Sequence, residues 1–472
     1  MRILAHVMLV SENSHKQIVV IGGGITGLSA CWYLQAELDR SASITLIEAS
    51  DCLGGKMITR QIQEEEGTFI IDAGPESFVT RKPEAWELAQ ELGLADQIIN
   101  PGSETRNMYV LDQGKPKKIP LSPPAFITSD LLTLRGKLRM MAEPFIPPKV
   151  DWEDESLADF VTRRLGREAL DKMLGPVLAG IYNTDPNSQS ILSTSPVMRE
   201  MEREHGGLFK GALARKRNRK QDTEDEPRPP QFMTFKDGAQ VMVDALEEQL
   251  DADILMGTKA LAVTKNDEGG YQIELEGRKA LQANVVILAA PGNQAARMLA
   301  SECPACADLL GTIDHKNIGT ATLIFEPGQI DLPYTINGLM VPRRESRKID
   351  AVTWTTNKPM DRGPQGYEML RVFFGGGDLA VVDLPEAEII EVIRGELADI
   401  FGITAVPAHT VVFCWPDSFP QAHVGHLELV DQIEAALPEG VYVAGSSYRG
   451  IGIPDCIRQG RDAAHKAIQT IK

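Results

Sequence analysis

Three glycines, Gly22, Gly24 and Gly27, stand at GxGxxG spacing in VVIGGGITGLSACWYL, between a short β-branched run and a segment with helical apolar spacing. That arrangement serves phosphate binding. Gly22 permits the tight turn, Gly24 lets a pyrophosphate approach the backbone, and Gly27 lets the following helix pack closely on the sheet. Gly23, Ile25 and Thr26 complete the loop, whose helix N-terminus offers unpaired N–H groups and the positive end of a dipole. Glu48, followed by Ala49, closes a second strand about twenty residues after the loop, where a carboxylate can accept a hydrogen bond from a ribose hydroxyl. Its charge would repel a 2′-phosphate, so the pattern predicts a dinucleotide other than NADP.

Three further stretches exceed what a nicotinamide dinucleotide domain needs. In ASDCLGGKMIT, Gly54 and Gly55 allow a second close backbone approach, and Lys56 places a cation beside the phosphates. IIDAGPESF runs a strand into Ala73, Gly74, Pro75 and Glu76, a turn able to meet a flat ring. Near the other end, GSSYRGIGIPDCIRQG holds Gly445, Gly450, Gly452, Ile453, Pro454 and Asp455, a glycine-rich entry into a helix with proline where an N–H is dispensable. Read singly, each is a plain turn. No Ser-His-Asp pattern or HExxH occurs, and the eight histidines are scattered. Cys303 and Cys306 form a lone CxxC without a second pair and read as structural.

The elements that position these residues alternate at first as strand, helix, strand: Ile18 to Ile21, Gly27 to Glu37 and Ile44 to Ile47. Residues 101–148 are irregular and proline-rich, and 156–178 reads as helices with Leu157, Phe160, Val161, Leu165, Leu170 and Leu174 as the apolar stripe. ARKRNRKQDTEDEPRPPQ has charge runs without a stripe, which predicts a mobile surface loop. Afterwards FMTFKDGAQVMVDALEEQL reads as a turn and helix, ALAVTK, YQIELEG and NVVILAAPG as strands, and 321–325, 351–355 and 370–374 as strands of another sheet. A helix is expected over Glu386 to Phe401, and VYVAGSS is a buried strand feeding the last helix. With 472 residues, 43% of them hydrophobic, the chain can bury a large core. A net charge of −18 excludes nucleic acid as the partner. Six thinly spread cysteines predict reduced thiols and a cytoplasmic protein. The opening MRILAHVMLV reads as a disordered leader rather than a signal peptide, and no apolar run is long enough to span a membrane.

Taken together, GGGITGLSA, EASDCLGGK, DAGPES and VAGSSYRGIGIPDCIRQG resemble the flavin amine oxidase superfamily and, within it, the bacterial protoporphyrinogen and coproporphyrinogen oxidases. AGIYNTDPNSQSILSTSP, SLADFVTRRLG and FCWPDSFPQAHVGH carry the same likeness. It extends from about Gln17 to Ile468. The resemblance implies an α/β fold: a discontinuous Rossmann-type FAD-binding domain, a mixed-sheet substrate domain and a helical insertion. The expected boundaries are 17–85, 232–300 and 426–472 for the FAD-binding parts, 86–212 for the insertion with part of the substrate domain, 213–231 for the charged loop, and 301–425 for the substrate domain.

It also implies FAD as cofactor, with Val263 and Trp415 joining the glycine turns around it, and no metal. Arg81 and Lys82, with Arg449 beside the last turn, are the expected cations for a carboxylated porphyrinogen, the flavin itself doing the chemistry. The implied reaction is a six-electron oxidation of coproporphyrinogen III with oxygen as acceptor and hydrogen peroxide formed. Protoporphyrinogen IX oxidation, amine oxidation and a non-catalytic porphyrin carrier remain alternatives. Transient contact with a chelatase and, at most, peripheral membrane contact complete the implied partners. Asp237 departs from the glycine that relatives often carry in this turn, leaving the local geometry open.

Overall fold

The computed structural model describes residues 16–38, 41–102, 107–221, 232–332, 335–377 and 379–472. The expected leader and residues 222–231 of the expected charged loop lie outside the described residues.

Ile18, Val19 and Val20 are fully buried in strand Lys16–Ile21, as are all four residues of strand Val285–Leu288. Runs buried on both faces need cover on both, which a parallel sheet between two layers provides. These strands pair at the heart of a five-stranded parallel sheet, in the order Asp253–Leu255, Ala42–Ile47, Lys16–Ile21, Val285–Leu288, Val441–Val443. Three distant parts of the chain thus build one Rossmann-type sheet. Helices Ile25–Leu38, Glu84–Glu91, Gln240–Gln249 and Ile453–Ile471 contribute to the core on one face. The other face packs against a small antiparallel sheet of Ala260–Lys265, Tyr271–Leu275 and Leu281–Ala283 and against helices Gly292–Leu299, Pro304–Gly311 and His426–Ala436.

The first and last helices meet where Gly460 lacks a side chain. A Cβ there would stand 2.4 Å from the Thr26 carbonyl oxygen and 3.1 Å from the Ala30 nitrogen. This contact brings the last helix over the beginning of the first.

A seven-stranded mixed sheet forms the second body, in the order His409–Pro420, His315–Phe325, Glu368–Phe374, Ile349–Trp354, Gly338–Met340, Met108–Asp112, Lys115–Lys118. Only Gly338–Met340 and Met108–Asp112 run parallel within it. Ala321, Leu323, Phe325, Leu370, Val372 and Phe374 share a face that packs against helix Glu386–Phe401, forming its core. On the opposite face Ile324, Met369 and Val411 pack against Phe69 and Ile71 of strand Gly67–Asp72, and the remaining part adjoins the site.

The insertion packs Leu157, Phe160, Val161 and Leu165 of helix Leu157–Leu165 inward. Arg164 and Glu143 pair in its interior with no exposure, and Arg163 and Arg199 both hold Glu202. Its large exposed apolar residues include Ile127, Leu134, Leu138, Met141 and Phe145.

Two local expectations are corrected. Residues 213–221 continue helix Leu208–Gln221 instead of forming a loop. Ala, Leu, Arg and Lys favour a helix without an apolar stripe, and Gly211 seats this one on Met201. The irregular region contains the hairpin of Met108–Asp112 and Lys115–Lys118, turned by Gln113 and Gly114 with φ of 54° and 72°. Two consecutive left-handed residues make the tight turn that suits paired strands.

Gly460→Val should lower stability by about 1–3 kcal/mol through overpacking and loosen both ends together. Denaturant unfolding with hydrogen exchange of helices Ile25–Leu38 and Ile453–Ile471 would measure it.

Candidate functional site

The first glycine loop is closed behind and open in front. Gly22 has φ of 113°, and a Cβ there would come within 2.7 Å of the Ala289 carbonyl oxygen; at Gly27 it would come within 1.9 Å of the Gly22 oxygen. At Gly24 it would meet nothing within 4 Å. Gly24 therefore faces space, the shape a pyrophosphate cradle requires. The Gly23 N–H donates to Glu48 Oε2 at 2.6 Å, and the Ser50 N–H donates to Oε1 at 2.8 Å. The carboxylate is held at the loop's edge while half-buried, and Ala49 beside it is exposed. Ile25 and Thr26 are buried at the start of the helix.

The second glycine turn lies across the first. Gly54 N–H donates to the Gly23 oxygen at 2.9 Å, and a Cβ on Gly55, φ 61°, would be 3.4 Å from Gly24 Cα. Lys56 Nζ donates to the Ser418 oxygen at 2.9 Å. Burial pulls its ammonium down to about 8, below lysine's usual range.

The turn at residues 73–76 joins the two bodies. The Ala73 oxygen accepts from Thr320 Oγ1 at 2.8 Å and from Arg371 Nη2 at 2.7 Å, and Arg371 also donates to the Gly74 oxygen. Gly74 is pressed on Lys56, whose oxygen would lie 2.2 Å from an added Cβ. Pro75 is half-buried. Glu76 is paired with Lys358 and, at 3.7 Å, with Arg371; although burial opposes ionisation, these cations hold its carboxyl below the usual range. Arg371, Thr320 and Lys358 could not be read as site residues because only strand pairing and, for Lys358, the turn after strand Ile349–Trp354 bring them here.

From the other end, Gly445, φ 133°, sits over Thr26 Oγ1, 3.8 Å from the place of its Cβ. Gly450, φ 116°, turns tightly onto Asp455, and Gly452 caps the last helix, with Ile453 and Pro454 opening it. Asp455 in the first helical turn binds Lys82 Nζ at 2.5 Å. Residues 22–27, 54–56, 73–76 and 445–455 are thus linked by direct contacts or short chains of them.

The remaining expected residues divide. Lys82 is engaged by Asp455, while Arg81 is exposed with its charge acting on Tyr182. Arg449 is not brought to this cluster: its guanidinium turns to helix His426–Ala436 and holds Asp431 at 2.6 Å and Glu434 at 3.0 Å. A doubly paired cation on that helix is poorly placed for a substrate at the glycine turns. Val263 is fully buried among Ile273 and Val286, so its side chain serves the core. Trp415 is half-buried and stacked on Phe413, with centroids 5.9 Å apart and planes at 11°.

Register puts Ile318 opposite Trp415, and Thr320 between Phe373 and Phe413. Ile318, Phe373, Phe413 and Trp415 are all half-buried on the sheet face that carries Thr320 and Arg371. The face is therefore an apolar platform beside the 73–76 turn, which suits a large flat ligand. The open glycine cradle, the oriented Glu48 carboxylate and the helix ends fit a dinucleotide.

A model of flavin containing amine oxidoreductases matches residues 25–468. The coproporphyrinogen III oxidase of Bacillus subtilis (strain 168) is 34% identical, over 97% of this chain and 99% of its own. The chloroplastic protoporphyrinogen oxidase 1 of Arabidopsis thaliana is 25% identical over 94% of this chain and 87% of its own. A solved structure from Exiguobacterium sp. 255-15, named as a candidate protoporphyrinogen oxidase, superposes with a TM-score of 0.84 at 28% identity, covering 97% of this chain and 100% of the other.

Gly24→Val should fold normally, because its side chain enters open space, yet lose a bound dinucleotide. Absorbance of the purified variant, with its melting temperature as control, tests both halves. A second expectation concerns the dinucleotide-free protein. Unfolded Lys56 keeps its proton to about 10.5 and the folded residue releases it near 8, so the unfolded state binds more protons between these values and stability rises with pH there. This gain is lost as pH falls through 8. Urea midpoints at pH 7 and 10 should show it relative to Lys56→Met, which lacks the titration.

Proposed function

This chain belongs to the flavin containing amine oxidoreductases, and from that premise we propose that it is an FAD-dependent coproporphyrinogen III oxidase. The substrate choice rests on one observation, the 34% identity to a coproporphyrinogen III oxidase along nearly the whole of both chains. The reaction removes six hydrogens from coproporphyrinogen III in three two-electron cycles, and three oxygen molecules leave as hydrogen peroxide. Bound FAD supplies the hydride acceptor and the route of electrons to oxygen.

The protein's share is placement. Gly22, Gly23, Gly24, Ile25, Thr26 and Gly27 receive the pyrophosphate, Glu48 with Ala49 the ribose, and Gly55 and Lys56 flank the phosphates. Ala73 to Glu76 on one side, and Gly445 with Gly450 to Asp455 on the other, hold the ring end. The Ile318, Phe373, Phe413 and Trp415 platform excludes water from one face of the tetrapyrrole, and Arg81 meets a propionate at the rim. A methylene bridge held against the ring needs little more than orientation, because aromatisation drives the loss of its hydrogen.

An amine oxidase reading would want an aromatic pair at the ring. Tyr448, the one aromatic residue in AGSSYRGIG, is instead buried with Val430 and Ile433 in the core. Oxygen is the acceptor in this reading, and a metal-inserting chelatase is the class of enzyme that consumes the product. The protein works in the cytoplasm, with at most peripheral membrane contact; among the described residues no helix is long and apolar enough to cross a membrane.

Anaerobic addition of coproporphyrinogen III should bleach the yellow protein, and air should restore it. Protoporphyrinogen IX and a primary amine tested in parallel should act more slowly or not at all. Colour that persists with coproporphyrinogen III would leave the carrier reading.

A further inference from the structure

At one rim of the seven-stranded sheet, two cations stand together with no acid of the described residues in ion-pair contact. Lys316 lies two residues before Ile318 on strand His315–Phe325; the register shift between them puts the extra residues on the partner strand, between Trp415 and Phe419, so Lys316 stands just past the rim end of the apolar platform. Arg343 follows strand Gly338–Met340, which ends at the same rim as strand Glu368–Phe374 and where Ile349–Trp354 begins. Among the described residues neither side chain is within ion-pair distance of a carboxylate. The neighbouring Arg344, by contrast, binds Asp112 at 2.9 Å.

Three acids lie near the two cations, each occupied elsewhere. Asp185 accepts from the backbone and side chain of Asn187 at 2.9 and 2.7 Å. Asp350 takes the N–H groups of Gly376 and Gly377, both at 2.8 Å. Asp314 is half-exposed and faces His423 at 3.6 Å. Burial, then the charge of Arg343, push the Lys316 ammonium below its usual range against the opposing pull of Asp314, Asp185 and Asp350, none of which reaches it as an ion pair.

This rim also adjoins the site. The Asn183 side chain donates to the Asn317 oxygen at 3.2 Å, and Asn317 Oδ1 accepts from the Asp417 N–H at 2.9 Å, next to the Ser418 that holds Lys56. Asn183 ends helix Gly175–Tyr182 in a left-handed conformation, φ 47°. Arg81 acts on Tyr182 of that turn, whereas Lys316 and Arg343 act on Asp185.

We propose that Lys316 and Arg343 form a second carboxylate subsite, which receives propionate groups of the tetrapyrrole at a corner apart from Arg81. The inference rests on the porphyrinogen reading above and adds a basis for discrimination. Coproporphyrin III carries four propionates spread around the ring and can engage both cation groups; protoporphyrin IX carries two, on neighbouring pyrroles, and engages one. An arginine takes a carboxylate in two parallel hydrogen bonds, and the adjacent lysine adds a point charge.

Equilibrium binding to the flavin-loaded enzyme, followed by porphyrin fluorescence, tests this with coproporphyrin III, protoporphyrin IX and coproporphyrin tetramethyl ester. Lys316→Gln with Arg343→Gln should weaken coproporphyrin III binding about tenfold or more, in line with loss of charge-assisted hydrogen bonds. Flavin content and ester binding should be unchanged, and the preference over protoporphyrin IX should shrink. Lys316→Arg with Arg343→Lys, which keeps both charges, should restore most of the affinity. Unchanged coproporphyrin III affinity in the glutamine variant would overturn the subsite while leaving the function intact. A wild-type protein that binds no porphyrin and is not bleached would overturn the function itself and the subsite with it.

Discussion

The absence of a side chain at Gly460 is the constraint on which the rest of the site depends. It lets the last helix lie against Thr26 and Ala30 of the first, which sets Gly445 over Thr26 and points Asp455 at Lys82. A larger residue would separate the helices, and the turns at 22–27 and 445–455 would no longer meet. The helix contact and the parallel sheet reinforce each other, since strand Val441–Val443 pairs with Val285–Leu288 just before the chain turns into that helix.

A second connection makes the two bodies one machine. The 73–76 turn belongs to the nucleotide side by its contact with Lys56 and to the platform side by Arg371, Thr320 and Lys358. Arg371 is buried and so depends on partners; it finds them in carbonyl oxygens of the turn and in Glu76. The turn and the sheet thereby share one rigid reference. Movement of either would expose or strand a buried cation.

Much of this was legible in the residues. The glycine spacing, Glu48 and the strand runs at 18–21, 44–47 and 285–288 state a parallel nucleotide-binding sheet, because tight turns and doubly buried strands leave few other solutions. Helix Glu386–Phe401 was readable to its ends, with Pro385 before it and Gly402 after it. Long-range pairing was not legible. Nothing local in Thr320, Lys358 or Arg371 marks a contact with residues 73–76, and Arg449 looked available until Asp431 and Glu434 were placed beside it. Helix 208–221 was hidden for a different reason: surface helices need propensity rather than an apolar stripe, and charge runs obscure that propensity.

The strand order also dictates a schedule. Lys16–Ile21 is made first of the five strands, its inner neighbour Val285–Leu288 follows only after the insertion and most of the first body's other pieces, and Val441–Val443 is the last of the five. Parallel pairing of such remote segments is slow, since loop closure is costly before any contact rewards it. The nascent chain therefore carries an incomplete, edge-exposed sheet until Val441–Val443 emerges, a state open to chaperones and to misassembly.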